Sequence, residues 1–409
     1  MDAWRKRPAG RAVTGLAAAI LTLAGCSSGT AATNPPSPSA TIASAPSAAS
    51  PSVAAPSASP APSEIPADQV KGSLSVLDWS GYDQEIFWQD FKKKYPNVNV
   101  SFEFGSADAD IYGKMKAGSQ ADVFHPYTGW LQFYVDEGLA AEIDTSRLKN
   151  WDKVPDSFKK IGQINGKQYF VPWDWGFTSI LYRKDKIPSV DSWAILFDPQ
   201  YKGHLSMWDD GPGAVTVSSY VHGYDETAVT ADQLASIKAE WTDQAKLNKA
   251  YWTAESDLDP MVQSGDVWAA YAWQGAFATL NGEGVPVAYA NPKEGRNSWV
   301  GVYGIRKDDP NYDIALRFLD EKLGTVTGQN LVTNYFYGVA NGDVMSGIAD
   351  PAQAAAYTNK TTGATPALLA QTFSVNDPSV LQHTNFTPNL TAQQRDDWTA
   401  MWTEVKASQ

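Results

Sequence analysis

Two short stretches combine ring faces with hydroxyls in a way that can hold a polar or positively charged small molecule. They are Trp79-Ser80-Gly81-Tyr82 and His125-Pro126-Tyr127-Thr128. Aromatic faces attract cations, and hydroxyls beside them supply directional hydrogen bonds. The chain is rich in such rings, with 16 Trp and 18 Tyr. Bond-making chemistry is harder to place. His125, His204, His222 and His383 show no paired metal-ligand spacing such as His-Glu-x-x-His, and beyond residue 70 there is neither a Gly-x-Ser-x-Gly elbow nor a Walker glycine loop. Glu255, Asp257 and Asp259 lack the loop spacing of a calcium site and are expected to be a solvated loop. Asp209-Asp210 followed by Gly-Pro-Gly reads as a turn and helix cap as readily as a ligand-binding pair. Paired acids among many tryptophans would also suit a glycoside hydrolase, which needs two carboxyls at a defined separation.

The elements that must position these residues follow an α/β pattern. Leu74 to Asp78 reads as an apolar strand, Tyr82 to Tyr95 as a helix stopped by Pro96, and Val98 to Phe104 as an alternating strand. Asp110 to Gly118 reads as a second helix and Ala121 to Phe124 as a third strand. Strand–helix–strand–helix–strand in so few residues implies a parallel sheet with helices on its faces. Ligands of such sheets gather beyond the carboxyl ends of the strands, which is where both aromatic stretches lie. Trp241, Trp252, Trp268, Trp398 and Trp402 fall in helical patterns and are expected to pack in the core.

The first residues carry an address. Arg5, Lys6, Arg7 and Arg11 precede an apolar run from Ala12 to Ala24, too short for a permanent membrane span and in the form of an export signal. The run ends in Leu23-Ala24-Gly25-Cys26, which resembles the lipobox of bacterial lipoproteins; the resemblance implies cleavage before Cys26 and lipid on its thiol. Cys26 is the single cysteine, so no intrachain disulfide forms. Residues 27–68 are almost wholly Ser, Ala, Pro and Thr, a composition that buries too little to fold and reads as a tether. Loss of the signal leaves 28 basic against 44 acidic residues. That balance argues against nucleic acid and suits a cationic ligand, or serves solubility alone. The remaining length exceeds what one core usually serves, so two lobes are expected.

Leu77-Asp-Trp-Ser-Gly-Tyr82, Phe91-Lys-Lys-Lys-Tyr-Pro96, Ala121-Asp-Val-Phe124, Asn165 to Gly176, Phe197 to Gly203 and Met207-Trp-Asp-Asp210 together resemble bacterial solute-binding proteins, and most nearly the spermidine/putrescine-binding branch of ABC-importer receptors. The resemblance implies a two-lobed periplasmic-binding-protein-like α/β fold with hinge strands and a ligand cleft between the lobes. Lobe 1 would comprise 71–178 plus 301–345, and lobe 2 179–300 plus 346–409, after a signal (1–25) and a tether (26–70). Chain crossings would fall near 176–180 and 299–304. Position by position, Trp79, Ser80 and Tyr82 match first-loop contacts, Tyr127 or Thr128 a second-loop contact, and Asp210 an amine-binding carboxylate. Trp273 matches the floor of the box, Trp299 the hinge aromatic and Tyr337 a late contact. Two departures stand out, since Gly213 and Gly301 occupy positions that are acidic in polyamine binders. Asp174 would then be a relocated carboxylate, with Asp209 assisting. The implied function is capture of a polyamine or related amine and delivery to a membrane permease with its ATPase. The expected receptor is a lipid-anchored monomer on the outer face of the membrane, with no cofactor, no metal and no enzymatic activity. A betaine, an amino-acid derivative, a sugar or ferric ion (on Tyr335 and Tyr337) are the other ligands considered.

Overall fold

One strand ties the architecture together. Phe170–Arg183 is 14 residues long, and every residue from 170 to 181 is buried. A continuous apolar run of this kind is what a strand covered on both faces requires. Pro172 is tolerated inside it because the pairing register slips beside it, between Gly301 and Val302 of the neighbouring strand. The computed structural model describes residues 65–408 except 106, 377–379, 381, 382 and 389. The export signal, Cys26 and the tether to residue 64 lie outside the described residues.

The strands of the principal sheet are β1 (Lys71–Trp79), β2 (Asn97–Gly105), β3 (Val123–Phe124), β4 (Phe170–Arg183), β5 (Leu205–Trp208), β6 (Asn248–Trp252), β7 (Ala269–Trp273), β8 (Val287–Tyr289), β9 (Asn297–Ile305), β10 (Gly338–Val339) and β11 (Asn385–Phe386), the last paired in parallel with β9. They run in the order β2-β1-β3-β9-β4-β7-β5-β6, with β8 and β10 also paired to β4. Strands β1, β2 and β3 are parallel, as are β5, β6 and β7, while β9 and β4 run antiparallel between the two sets. The site-forming helices are α1 (Gln89–Lys94), α2 (Asp108–Lys116), α3 (Gly211–His222), α4 (Glu255–Ser264), α5 (Gln274–Gly282), α6 (Tyr312–Lys322), α7 (Thr325–Tyr335) and α8 (Ala392–Ala407). The helix expected from Tyr82 to Tyr95 is shorter, because Trp88 takes a non-helical backbone (φ −150°) between a 3-10 turn and α1. Among the described residues no helix is long and apolar enough to cross a membrane.

Two hydrophobic cores flank the sheet's centre. The first gathers Leu74, Val76, Phe91, Phe124, Phe170 and Phe177 with α6 and α7. The second gathers Ile180, Leu181, Met207, Trp241 and Trp252 with α3, α5 and α8. The switch falls at Thr178, which pairs both with Asn297 of β9 and with Trp273 of β7. The return crossing lies earlier than expected, between Ala290 in the second core and Val300 in the first. The segment after residue 346 also divides differently from the expected lobes. Ile348, Tyr357, Leu369 and Phe373 pack in the first core, where Phe373 meets the Trp175 ring at 5.7 Å. Leu390 and α8 pack in the second, through Trp398, Met401, Trp402 and Val405. Trp241, Trp252, Trp398 and Trp402 are buried, although Trp252 ends a strand rather than lying in a helix. Trp268 is also non-helical; half-buried, it stacks on His204 at 3.7 Å.

Candidate functional site

Side chains alternate along a strand, so residues 174, 176 and 178 of β4 share a face, as do their ladder partners Gly301, Trp299 and Trp273. On this face the Trp299 ring lies over Gly176, where an added Cβ would stand 2.2 Å from it. Rings then form a closed circuit, with Trp79 set on Tyr127 at 5.3 Å. Tyr127 meets Trp299 at 5.3 Å, and Trp299 meets Tyr337 at 4.9 Å. Tyr337 meets Tyr335 at 6.2 Å, Tyr335 meets Tyr82 at 5.6 Å, and the Tyr82 and Tyr127 hydroxyls stand 3.3 Å apart. These rings come from the carboxyl end of β1, the loop after β3, β9 and the end of α7. The Phe336 backbone is left-handed (φ 55°), ending α7 between its two tyrosines. Trp79, Tyr127, Trp299 and Tyr337 are half-buried, whereas Tyr82 is buried and Ser80 is exposed. Thr128 has a supporting role: its Oγ1 accepts the Val300 amide at 3.2 Å, clamping the loop to β9.

Beneath the rings lies a buried charged chain. His125 Nδ1 is 2.7 Å from Asp78 Oδ1, and its Nε2 is 3.1 Å from Asp174 Oδ1. The Tyr303 hydroxyl donates to Asp78 at 2.8 Å. The Tyr82 and Tyr127 hydroxyls donate to Asp174 Oδ2 at 2.8 and 3.0 Å. Burial alone would lower the His125 pKa, but the two carboxylates outweigh it and push it up to about 9. The Lys322 ammonium lies 4.0 Å from the Trp173 ring centre, and burial lowers its pKa to about 8 despite Asp78 and Asp174 nearby.

Asp174 is therefore not the open ligand carboxylate expected of it. It is fully buried, and its oxygens serve His125, Tyr82 and Tyr127. A Cβ on Gly301 would sit 1.9 Å from Asp174 Oδ1. The carboxylate of residue 174 thus fills the space that a side chain at 301 would need, across the β4–β9 ladder.

The second core supplies Trp273 at the end of β7, half-buried, with edge-on contacts to Trp208 at 5.2 Å and Trp252 at 5.1 Å. Asp210 caps α3, its Oδ2 accepting the Gly213 amide at 2.6 Å. It lines a cavity of about 520 Å³ with Trp130, Pro212 and Arg395 rather than joining the ring circuit. Burial raises the Asp210 pKa to about 6 against the Gly213 amide and Arg395. A side chain at 213 would be tight, its Cβ 3.0 Å from Asp210 Oδ2 and 3.3 Å from the Tyr271 hydroxyl, so these neighbours would have to give by a few tenths of an ångström. Asp209 is committed elsewhere, accepting from Trp402 Nε1 at 2.8 Å and Lys406 Nζ at 2.6 Å. Asp210→Ala is expected to lower stability by about 1 kcal/mol through loss of the cap, read in urea unfolding.

Sequence reasoning missed two groups. Glu255 is not in a solvated loop; it opens α4 half-buried, and its Oε1 accepts the Ala276 amide at the start of α5 at 2.9 Å. Burial, then the Asp259 charge, raises its pKa to about 8. Gln274, fully buried, accepts from the Phe177 amide and donates to the Phe336 carbonyl at 2.8 Å, joining β4, α5 and the segment that carries Tyr337. The tyrosines considered for ferric ion are disposed against it. Burial pushes Tyr335 up to about 12 and raises Tyr337, and Tyr335 donates to the Gly81 carbonyl at 2.9 Å.

Against known proteins, residues 87–362 match the family model described as bacterial extracellular solute-binding protein. The chain is 26% identical over 255 residues to the spermidine/putrescine-binding periplasmic protein of Escherichia coli K12, covering 61% of this chain and 72% of that protein. It is 25% identical over 291 residues to the putrescine-binding periplasmic protein PotF of the same organism, covering 66% and 78%. Among solved structures, the spermidine/putrescine ABC transporter substrate-binding protein PotD of Streptococcus pneumoniae superposes with a TM-score of 0.66 at 17% identity, covering 82% of this chain and 99% of that one. The matched span is about two thirds of the chain and takes in most of both cores and the rings of Tyr127, Trp299, Tyr335 and Tyr337, and on that extent the chain belongs to the bacterial extracellular solute-binding proteins.

Proposed function

We propose that this protein is the receptor of an ABC importer and captures a small organic amine of the polyamine type in its aromatic cleft. The observation that carries this reading is the closed circuit of Tyr127, Trp299, Tyr337, Tyr335 and Tyr82 at the strand ends, with Trp79 set on Tyr127, on the sheet face it shares with Trp273. Rings set edge to face in this way suit a cation and its methylene chain better than a sugar, which needs several directional partners. The relatives named for spermidine and putrescine binding support the same choice. In this reading Trp79, Ser80, Tyr127, Trp273, Trp299 and Tyr337 touch the ligand, and Tyr82, Thr128, Asp174 and Asp210 hold the surrounding frame.

Ligand contacts made to both lobes favour the closed state by their difference between open and closed forms. The strands crossing near Thr178 and between Ala290 and Val300 would be the hinge. The closed receptor would then dock on a permease driven by its ATPase. Cys26, lipidated after export, and the Pro/Ser/Ala tether would keep a monomeric receptor at the outer face of the membrane.

A thermal-shift screen of the full chain with putrescine, spermidine, betaine, amino acids and sugars tests the reading. An amine is expected to raise the unfolding midpoint; a shift with a sugar and with no amine would overturn it. Trp273→Ala is expected to weaken the amine roughly 2- to 30-fold by calorimetry, the range of one cation–π contact, and unchanged affinity would remove Trp273 from the site.

A further inference from the structure

The carboxylates near the cleft do not all carry unbalanced charge. Asp174 shares a sealed cluster with Asp78, and both rings' nitrogens of His125 face carboxylate oxygens, the geometry of an imidazolium donating twice. Lys322 is buried in the same cluster, its ammonium over the Trp173 ring. Two acids are thus matched by two cations. Asp210 shares its cavity wall with Arg395 and is turned into the α3 cap. Glu255 differs. It forms none of the ion pairs found among the described residues, its only hydrogen bond there is to the Ala276 amide, and the charge that acts on it is another acid, Asp259. Gly275 lets it come so close to α5, since a Cβ there would lie 2.8 Å from Oε2. Gln274, next to the Gly275 on which Glu255 packs, donates to the Phe336 carbonyl beside Tyr337, and burial, then the Glu255 and Asp174 charges, raise the pKa of the Tyr337 hydroxyl.

Resting on the amine reading above, we infer that the ligand is singly charged: one ammonium held by Glu255 and, at its other end, a neutral hydrogen-bond donor such as a hydroxyl or amide N–H. The neutral end meets the Tyr127 hydroxyl, which already donates to Asp174 and so towards a ligand can only accept. A second ammonium could donate there too, but it would be desolvated beside a cluster whose acids are already neutralised. Ring faces attract such a cation far less than an unpaired desolvated charge costs. The shifts agree with this balance: His125 at about 9 and Lys322 at about 8 are both charged at neutral pH, while Glu255, at about 8 without a ligand, gives up its proton when an ammonium pairs with it.

Calorimetry of the full chain at pH 7 with putrescine, N-acetylputrescine and 4-amino-1-butanol tests the inference. At least one of the monocations is expected to bind at least about tenfold more tightly than putrescine. Putrescine binding as tightly as both, or more tightly, would overturn the single-charge inference and leave the amine reading standing. Failure of every amine to bind, with a sugar binding instead, would overturn the amine reading itself. In Glu255→Gln the monocation is expected to lose at least about tenfold in affinity, and unchanged affinity in the folded variant would overturn the role of Glu255.

Discussion

His125→Gln is expected to lower stability by roughly 3–5 kcal/mol at pH 7, the cost of leaving buried charges without their partner. Asp78 and Asp174 would face a neutral amide, with only Lys322 to offset them. The pH dependence identifies the cause. The folded pKa of His125 is raised, so its contribution is fully present below about 6.5 and is lost as pH rises through about 9. Over that window the loss is on the order of 3 kcal/mol. Lys322 acts with the opposite sign, because its folded pKa is lowered and its burial becomes less costly as pH rises through about 8. The difference between wild type and variant removes most of that opposing slope. Urea unfolding at pH 6, 7, 8 and 10 should therefore show a gap that narrows towards alkaline pH. A constant gap would mean that His125 contributes by packing rather than by charge.

Gly301→Asp is expected to be comparably damaging. Its Cβ would meet Asp174 Oδ1 at 1.9 Å and His125 Nε2 at 2.6 Å, so the ladder must part or a third carboxylate must enter a sealed cluster. Overpacking costs about 1–3 kcal/mol and an unpaired buried charge roughly 3–5 kcal/mol, so little folded protein is expected. The shared space across the ladder makes a sharper prediction. Asp174→Gly alone strands the Tyr82 and Tyr127 hydroxyls, whereas Asp174→Gly combined with Gly301→Asp restores a carboxylate to the same space. The double variant should recover at least half of the stability lost by Gly301→Asp, as measured by thermal unfolding. No recovery would show that the two positions are independent.

The parts of this site that could be read from the sequence are those set by local pattern. Trp79 and Tyr127 follow short apolar strands, and the rule that ligands gather at strand ends places them where they are found. Trp273, Trp299 and Tyr337 came through resemblance, since nothing within a few residues of each distinguishes a cleft tryptophan from a core one. The rest depends on distant partners. Asp209 and Asp210 are adjacent and chemically alike, yet one is taken by Lys406, 197 positions away, and the other by a helix amide three residues on. Glu255 sits in an acidic run that resembles a solvated loop, and only the packing of α5 against α4 turns its side chain inward. His125 finds its partners 47 and 49 positions away on two strands. The two cores were legible from length and alternating elements. The division of residues after 346 was not, because those segments carry no signal of which face of the sheet will cover them.

The claim that rings and one open acid select for a cationic end is tested most directly by titrating the full chain with 4-amino-1-butanol and with 1,4-butanediol, which differ only in the charged group. Calorimetry should show saturable binding of the amino alcohol and none of the diol at the same concentrations. Equal binding of both, or binding of the diol alone, would contradict a site built around an ammonium.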